Sequence, residues 1–291
     1  MSNLKGELVR IKTQDNLELH GILFEPNQKS TTALIHVHGW TGNFYEDIFI
    51  ECIAKALISK VALLTFNTRG AGHVQEFIKR KSSKIDYVKI GGSLEIFEDC
   101  ILDIGSAIHF LSRRGYKSVI LQGHSTGCQK VTFYKYKIQD KRVKGLILLE
   151  PTDDPSIVKK MLGKRYSKAL EIAQEMIKDG RENKPMPISI QFGTMLSAQK
   201  FLSISDPNTI EGRLFNYSGK LKEIREIKCP VLAVFGSNTE YQKNPVKSLE
   251  ILKRKMKRCD TTLIRDTNHW FVNHETELGK FICMWIKSNF L

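Results

Sequence analysis

Short apolar runs alternate with amphipathic stretches along most of this chain. Apolar runs bounded by turn residues predict buried strands, and apolar positions that recur every three or four residues predict helices packed against them. The predicted strands are TTALIHV, VALLTFN, KSVILQ, VKGLILLE, CPVLAVFG and TTLIRD. This order predicts an α/β fold: a mostly parallel central sheet with helices on both faces.

The helical patterns lie between these runs. We predict helices over about 43–60, 93–114, 126–139, 244–259 and 274–290. Ser93 is expected to cap the second of these helices and Gly115 to close it. The first 26 residues are typical of two strands around an Asp15-Asn16 turn, whereas 71–92 is a polar excursion without a predicted element.

The alternation stops after Pro151 and resumes near residue 229. The intervening segment contains no strong strand pattern, but it has one amphipathic helical stretch followed by a loop-rich stretch with three prolines. We therefore predict a core formed by 1–151 and 229–291, with a helical cap, or lid, inserted at 152–228.

Composition is typical of a soluble globular protein. Of the 291 residues, 41% are apolar and 26% charged, and no apolar stretch is long enough to span a bilayer. The beginning of the chain does not have the pattern of an export signal. Six cysteines lie scattered without a CxxC pair, which favours reduced thiols. These features predict a cytoplasmic protein without a membrane partner.

The net charge of +14 raises the question of polyanion binding. The lysines are spread along the whole chain, and no compact basic run with interleaved aromatics is present. We therefore expect a solvated, lysine-rich surface and no nucleic-acid partner. The alternative, nucleic-acid binding, predicts retention on a polyanion column that persists at moderate salt.

One short motif carries candidate chemistry. Residues 123–127, GHSTG, match G-x-S-x-G, and a predicted strand precedes them while a predicted helix follows. In that setting the pattern indicates a nucleophile elbow, a sharp strand-to-helix turn that presents a serine hydroxyl. Ser125 would then be a nucleophile at a helix N-terminus, where developing negative charge is favoured.

A serine needs a base, and histidine is the usual one. The elbow arrangement places that histidine after the last strand, where His269 lies in IRDTNHWF. His36 and His38 alternate along one strand, so a metal pair is conceivable, but no third ligand has the expected spacing. We predict structural hydrogen bonding for both, as for His124 and His73, and no metal.

The oxyanion of such a reaction needs two preorganised donors. We expect one to be the backbone N–H of Thr126, directly after the serine, and the other to be the backbone N–H of Trp40 in the HGWTGN loop. The Trp40 indole could also shape the pocket, although a core tryptophan is an equal alternative.

Together, HGW, NTRGAG, GHSTG and NHWF resemble the α/β-hydrolase superfamily, over nearly the whole chain outside the insertion. The resemblance implies the α/β-hydrolase fold and a serine esterase. More narrowly, GHSTGCQ, PTDD, SAQKFLSIS and TEY resemble a fungal and plant branch that includes siderophore esterases, which open fusarinine-type hydroxamate esters. This second match is patchy, so it indicates serine ester hydrolysis more firmly than a siderophore substrate.

The sequence departs from that family at the acid of the triad. An aspartate usually stands three residues past the glycine that ends the penultimate strand, but Thr239 occupies that place here. Glu240 is next, and its longer side chain could offset the displacement. Glu240 is therefore the predicted acid, against the alternative of a solvated loop carboxylate. Asp153 and Asp154, after the preceding strand, are held in reserve.

The sequence thus predicts a serine hydrolase that cleaves a small carboxylic ester through an acyl-enzyme, without a cofactor. Three alternatives stay open. The same residues could perform other acyl chemistry, such as amide or thioester cleavage or acyl transfer; the protein could be a non-catalytic, hydrolase-like binding protein; or it could bind nucleic acid. The oligomeric state is left open.

Overall fold

A computed structural model describes residues 4–187 and 195–291, which contain an eight-stranded sheet in the order β1-β2-β4-β3-β7-β8-β9-β10. The strands of this sheet are β1 (Glu7–Lys12), β2 (Glu18–Phe24), β3 (Thr32–Val37), β4 (Ala62–Phe66), β7 (Ser118–His124), β8 (Val143–Leu149), β9 (Val231–Gly236) and β10 (Cys259–Ile264). A separate two-stranded sheet is formed by β5 (Gln75–Lys81) and β6 (Lys84–Ile90). The β1/β2 and β2/β4 pairs are antiparallel, and the other pairs in the eight-stranded sheet are parallel. The predicted mostly parallel α/β architecture is confirmed.

The helices cover both faces of this sheet. They are α1 (Phe49–Leu57), α2 (Cys100–Arg113), α3 (Gly127–Ile138), α4 (Asp154–Leu162), α5 (Tyr166–Lys178), α6 (Ala198–Ser205), α7 (Ile210–Arg213), α8 (Lys222–Arg225), α9 (Pro245–Lys255) and α10 (Glu275–Phe290). None of the helices within the described ranges is both long and apolar enough to cross a bilayer.

The central strands are buried on both faces, so their side chains contribute alternately to two cores. Leu34, Ile120, Ile147 and Leu232 join the core that is closed by α1 and α10. Their chain neighbours in the same strands face the opposite core, which is closed by α2, α3 and α9. Continuous apolar runs such as LILL in β8 are therefore explained by burial on both sides of a parallel sheet.

The polar stretch at 71–92 differs from its prediction, because it contains the β5–β6 hairpin. The alternation of buried and exposed side chains that predicts a strand is weak there, since Phe77 is the one buried side chain of β5 and β6 has none. The hairpin is attached to the first turn, where the backbone N–H of Arg80 donates to the carbonyl of Asn16 at 2.9 Å. Tertiary attachment, rather than local pattern, stabilises this hairpin.

The second helix also begins later than predicted. A single 3₁₀ turn over Phe97–Asp99 precedes α2, which starts at Cys100, so Ser93 is not its cap. The chain at 93–96 instead turns inward, and the backbone N–H of Glu95 bonds to the carbonyl of Gly91 at 2.9 Å. This turn buries the Glu95 carboxylate, which is 2% exposed.

The chain between β8 and β9 contains α4 to α8, in the segment predicted as a cap; its residues 188–194 lie outside the described residues. Apolar side chains of α4, α5 and α6 form a core of their own, onto which Trp40 packs. Leu214, Phe215, Leu221 and Ile224 belong instead to the core beneath the sheet. The later part of the insertion therefore packs as part of the main body.

A buried group of charges joins this insertion to the core. On α6, the Lys200 ammonium lies 2.8 Å from Glu211 of α7 and 3.0 Å from Glu95. The other oxygen of Glu95 lies 2.8 Å from the ammonium of Lys130, which is on α3. All four side chains are almost fully buried, so each charge depends on these partners.

Candidate active site

The turn between β7 and α3 has the geometry of a nucleophile elbow. Ser125 lies between the last residue of the strand and the first turn of the helix, with a φ of 53°. A left-handed backbone is costly for a serine, and such strain collects at functional sites. The turn is held by a hydrogen bond of 2.9 Å from the Ser125 N–H to the carbonyl of Leu149 in β8.

The two glycines of the motif are required by close backbone packing. A Cβ on Gly123 would lie 2.3 Å from the backbone of Gly127, and a Cβ on Gly127 would lie 2.2 Å from the carbonyl oxygen of Val37 in β3. Neither position has room for a side chain. The glycines therefore allow the strand, turn and helix to approach closely enough to raise Ser125 at the sheet edge.

His269 lies in the loop between β10 and α10, as predicted, and lines the same cavity as Ser125. The imidazole is 3% exposed and is surrounded by rings, with Tyr241 at 4.6 Å and Trp270 at 5.1 Å between centroids. Burial, and the nearby charge of His124, hold the pKa of His269 well below its ordinary value. The ring is therefore neutral at pH 7 and able to accept a proton.

In the described part of the chain, no hydrogen bond joins the Ser125 hydroxyl to the His269 ring. Catalytic hydrogen bonds are often long before substrate binds and tighten in the complex. The two groups share a cavity wall, so a rotation of the hydroxyl or a small movement of the His269 loop would have to bring them together.

The carboxylate beside the His269 ring is Glu150. It directly follows β8, with a φ of 55°, and is completely buried. Its Oε2 lies 3.2 Å from His269 Nδ1 and accepts a hydrogen bond of 2.5 Å from the Thr239 hydroxyl. Its Oε1 accepts from the backbone N–H of Gly236 at 2.6 Å. Burial raises the pKa of Glu150 to about 8, although these hydrogen bonds oppose the shift.

The carboxylate beside the His269 ring is not the predicted one, Glu240. Glu240 is exposed, and its Oε2 accepts a hydrogen bond of 3.2 Å from the backbone N–H of His269 rather than from the ring. Because Glu240 follows β9, its carboxylate meets the backbone of the loop that carries His269. Glu150 instead approaches the His269 ring from the end of the neighbouring strand, β8. Thr239, which stands where an aspartate was expected, donates to Glu150 instead.

The reserve acids do not contact His269 either. Asp153 caps α4, accepting from the N–H of Ser156 at 3.2 Å. Asp154 accepts from the Thr152 hydroxyl and the Gln129 amide, both at 2.8 Å, and lines the cavity. Burial and the nearby Glu211 raise the pKa of Asp154 to about 8. Both residues follow the end of β8 by several positions, whereas the carboxylate beside the His269 ring belongs to Glu150, directly after the strand.

A sequence signal for Glu150 did exist. In VKGLILLE the apolar run LILL ends on a charged residue, directly before Pro151. The carboxyl ends of parallel strands meet at one edge of a sheet, so a glutamate at such an end is a candidate site residue. The predicted acid, Glu240, follows β9, whereas the reserve acids Asp153 and Asp154 follow the correct strand but lie three and four residues past Glu150.

The predicted oxyanion donors lie in the same cavity wall as Ser125. Thr126 directly follows Ser125. The loop that carries Trp40 passes close beside Ser125: a Cβ on Gly39 would lie 3.0 Å from the Ser125 Cβ. The Trp40 indole donates to the carbonyl of Gly92 at 2.7 Å, which holds this loop. Their role as oxyanion donors stays a prediction.

The cavity has a volume of about 490 Å³. One side is apolar and formed by the insertion, through Ile157, Val158, Met161 and Ile204. The other side is aromatic and polar, and includes Tyr241, Trp270, His73, Glu46 and Asp47. A cavity with a mostly apolar wall and a few convergent polar groups is typical of a small-molecule site.

His36 on β3 and His38, which follows β3, are held by hydrogen bonds within the protein. His38 Nδ1 donates to the carbonyl of Gly39 at 2.8 Å while Nε2 accepts from the N–H of Thr68 at 3.0 Å. His36 Nε2 lies 2.8 Å from an oxygen of Asp47. Among residues 4–187 and 195–291, no group of three or more His, Cys, Asp or Glu has an arrangement suited to a metal ion.

The sheet order, the covering helices and the elbow define an α/β-hydrolase fold. A family model described as protein of unknown function (DUF1749) matches residues 78–276, and the chain belongs to that family. No curated protein matches the sequence.

Solved structures with the same fold include several esterases. Est1E from Butyrivibrio proteoclasticus is 17% identical, with a TM-score of 0.69, over 98% of this chain and 99% of that one. The Pyrococcus furiosus esterase Pf2001 is 16% identical, with a TM-score of 0.63, over 98% and 91%. The α/β hydrolase GrgF from Penicillium sp. sh18 is 17% identical, with a TM-score of 0.68, over 99% and 100%. At these identities the likeness establishes the fold.

Proposed function

We propose that the protein is a serine hydrolase that cleaves a carboxylic ester of a small molecule through an acyl-enzyme. The observation that carries this proposal is the convergence of Ser125 on a strained elbow and His269, with Glu150 against its Nδ1, at one cavity. Nucleophile, base and orienting acid are the three roles that such chemistry needs. Esterases among the proteins of the same fold support the same reading.

In the proposed mechanism, His269 Nε2 takes the proton of Ser125 as its oxygen attacks the ester carbonyl. The tetrahedral oxyanion accepts hydrogen bonds from the backbone N–H groups of Trp40 and Thr126. His269 then gives the proton to the leaving alcohol, and the acyl group remains on Ser125. A water activated by His269 attacks that acyl-enzyme and restores the serine.

Glu150 orients the imidazole in this scheme. As a carboxylate it accepts the Nδ1 proton, which leaves Nε2 free to act as a base, and it stabilises the imidazolium that forms. A protonated Glu150 would instead donate to Nδ1 and place the ring proton on Nε2, the tautomer that cannot receive the serine proton. Because the pKa of Glu150 is about 8, we expect turnover to fall as the pH is lowered through this region.

The cavity walls support an ester with an apolar acyl or alcohol group of moderate size, since the insertion presents aliphatic side chains to Ser125. The resemblance to siderophore esterases adds a more specific hypothesis, a hydroxamate ester of the fusarinine type. A substrate panel of short aliphatic, aromatic and hydroxamate esters, with amide and thioester analogues, separates this hypothesis from other acyl chemistry on the same residues.

The first test is Ser125→Ala, measured on a short-chain p-nitrophenyl ester. We expect a loss of turnover of at least about 10³-fold, because the nucleophile is removed, with little change in melting temperature. A fluorophosphonate should label the unaltered protein and not the variant, since only an activated serine reacts.

Two outcomes would contradict the proposal. Retention of activity in the variant would exclude Ser125 as the nucleophile. Absence of labelling in the folded, unaltered protein would instead favour the alternative of a non-catalytic protein that binds a ligand in this cavity.

A further inference from the structure

A buried network of polar side chains lies beneath the loop that carries His269. It is separate from the contact between His269 and Glu150. It runs from Gln122 through His36 and Asp47 to His124, which is the residue immediately before Ser125. Gln122 lies 2.9 Å from His36 Nδ1, and His36 Nε2 lies 2.8 Å from Asp47 Oδ2. The other Asp47 oxygen lies 3.2 Å from His124 Nδ1.

His124 is the last residue of this polar network and contacts the loop that carries His269. Its Nε2 lies 2.9 Å from the backbone carbonyl oxygen of His269. A carbonyl only accepts hydrogen bonds, and so does the Asp47 carboxylate, so each nitrogen of His124 must carry a proton to satisfy its partner. Two acceptor oxygens, one against each ring nitrogen, therefore favour an imidazolium at His124.

The surroundings of His124 agree with a buried ion pair. The ring is 3% exposed and packs edge-on against Phe49, with centroids 5.2 Å apart. Burial by itself lowers the pKa of His124, but the charge and hydrogen bond of Asp47 and the His269 carbonyl more than offset this and raise the pKa above its ordinary value. His36, by contrast, is buried with its pKa lowered, so the ring next to Gln122 is neutral.

The positive charge of His124 lies close to the catalytic base. Its ring centroid is 4.8 Å from that of His269. The charge lowers the pKa of His269, and it also lowers the pKa of Glu150 against the effect of burial. Both shifts extend the pH range in which the imidazole is neutral and the carboxyl is ionised, the two conditions that the proposed chemistry needs.

From these contacts we propose that His124 and Asp47 form a positioning ion pair for the catalytic histidine: the pair holds the His269 loop by its carbonyl and places a positive charge beside the imidazole and Glu150. This inference rests on the proposed function. It assigns a role to His124 in the G-x-S-x-G motif, where the sequence indicated only structural hydrogen bonding.

The titratable groups of this pair and around it come from several elements. Asp47 precedes α1, His36 is on β3, Glu150 follows β8, and His269 follows β10. Glu240, in the loop after β9, raises the pKa of Glu150 and so acts against His124. Removing the His124 charge therefore leaves Glu150 with a like-charged neighbour and no opposing cation from this pair.

The test is the pH profile of kcat/KM for His124→Gln, whose amide can still donate to the His269 carbonyl. Without the positive charge, the pKa values of both His269 and Glu150 rise. We expect the acid limb of the profile to move to higher pH by about one unit, the size expected for a charge at about 5 Å in a partly screened site. At a pH well above the limb, activity should recover to within several-fold of the unaltered protein.

A second variant guards against misfolding caused by an unpaired, buried carboxylate. In Asp47→Asn/His124→Gln both charges are removed, and the effect of the His124 charge on the pKa of His269 is larger than the opposing effect of Asp47. We expect the acid limb to move in the same direction but less far. His20→Gln, which removes an exposed histidine on β2, is the matched control and should leave the profile unchanged.

The outcomes separate this inference from the proposed function. Fluorophosphonate labelling of Ser125 in the unaltered protein tests the nucleophile alone. If labelling succeeds but folded His124→Gln keeps the original acid limb, or loses activity equally at every pH, the positioning role is wrong. Independently of any variant, ¹⁵N shifts of His124 should show both ring nitrogens protonated at pH 6–7, and a neutral ring would overturn the proposal.

Discussion

At the scale of single residues, the carboxylate beside the His269 imidazole is decided by which strand end reaches the ring. Glu150 has an unfavourable left-handed backbone, yet every oxygen of its carboxyl has a partner. Thr239, in the place where related hydrolases were expected to carry aspartate, supplies one of those partners. In the proposed site the acid is therefore on the neighbouring strand, and Thr239 donates a hydrogen bond to it.

Glu150→Gln tests this assignment. The amide has nearly the same shape, but it cannot carry the negative charge that orients and stabilises the imidazolium. We expect kcat to fall by about 10²- to 10⁴-fold, as for acids of other triads, with the melting temperature changed by only a few degrees. Ester hydrolysis and a thermal melt of the same sample measure both effects.

Glu240→Gln is the matched control, because an amide oxygen can still accept from the backbone N–H of His269. This variant should keep activity within a few-fold. If the losses are reversed between the two variants, Glu240 is the acid and the position of Glu150 is structural.

At the scale of elements, the elbow depends on three segments that pack almost without side chains between them. The end of β3, the end of β7 and the start of α3 are brought into contact through Gly123 and Gly127. The strained Ser125 backbone is maintained because strands on both sides are buried and rigid. A helix or strand taken alone has no reason to hold this conformation.

Gly127→Ala should therefore be destabilising. Its Cβ would lie 2.2 Å from a backbone carbonyl of β3, which cannot move without shifting the strand. We expect a loss of about 3 kcal/mol in the free energy of unfolding, at the upper end for overpacking, measured by urea denaturation.

Gly105→Ala, in the middle of α2, is the matched substitution. Its Cβ would meet only the Tyr134 ring at 3.7 Å, an ordinary contact. Helix propensity predicts a gain of about 0.5–1 kcal/mol there. Equal effects of the two substitutions would show that close packing at the elbow is not what requires glycine.

At the scale of the whole molecule, the buried charges of Lys200, Glu211, Glu95 and Lys130 join the insertion to the helix that follows the nucleophile. Because α6 also carries apolar side chains into the insertion core, the network and this core act together to hold one wall of the cavity. The position of that wall relative to Ser125 is therefore a property of the complete chain.

Lys200→Met tests the network. The substitution keeps most of the apolar side chain, one atom shorter, but removes the Lys200 cation from the buried carboxylates of Glu211 and Glu95. We expect a loss of about 3–5 kcal/mol in the free energy of unfolding, measured in urea. Lys168→Met, on the exposed face of α5, removes a lysine whose side chain is 64% exposed and should change stability by less than about 1 kcal/mol.

A loss no larger in Lys200→Met than in Lys168→Met would mean that the buried charges contribute little to holding the insertion on the core. In that case, the apolar contacts of α4 to α6 would be sufficient by themselves.

The sequence by itself determined the strands of the central sheet, most of the helices of the core and the mostly parallel α/β class, because apolar periodicity and turn residues act locally and reflect burial directly. It also indicated Ser125 and His269 through a strand-turn-helix motif and a position after the last strand. Tertiary structure alone decided the rest: the β5–β6 hairpin, the choice of Glu150 over Glu240, Asp153 and Asp154, and the pairing of His124 with Asp47. Those outcomes depend on distances between segments far apart in the chain, and local pattern carries no measure of such distances.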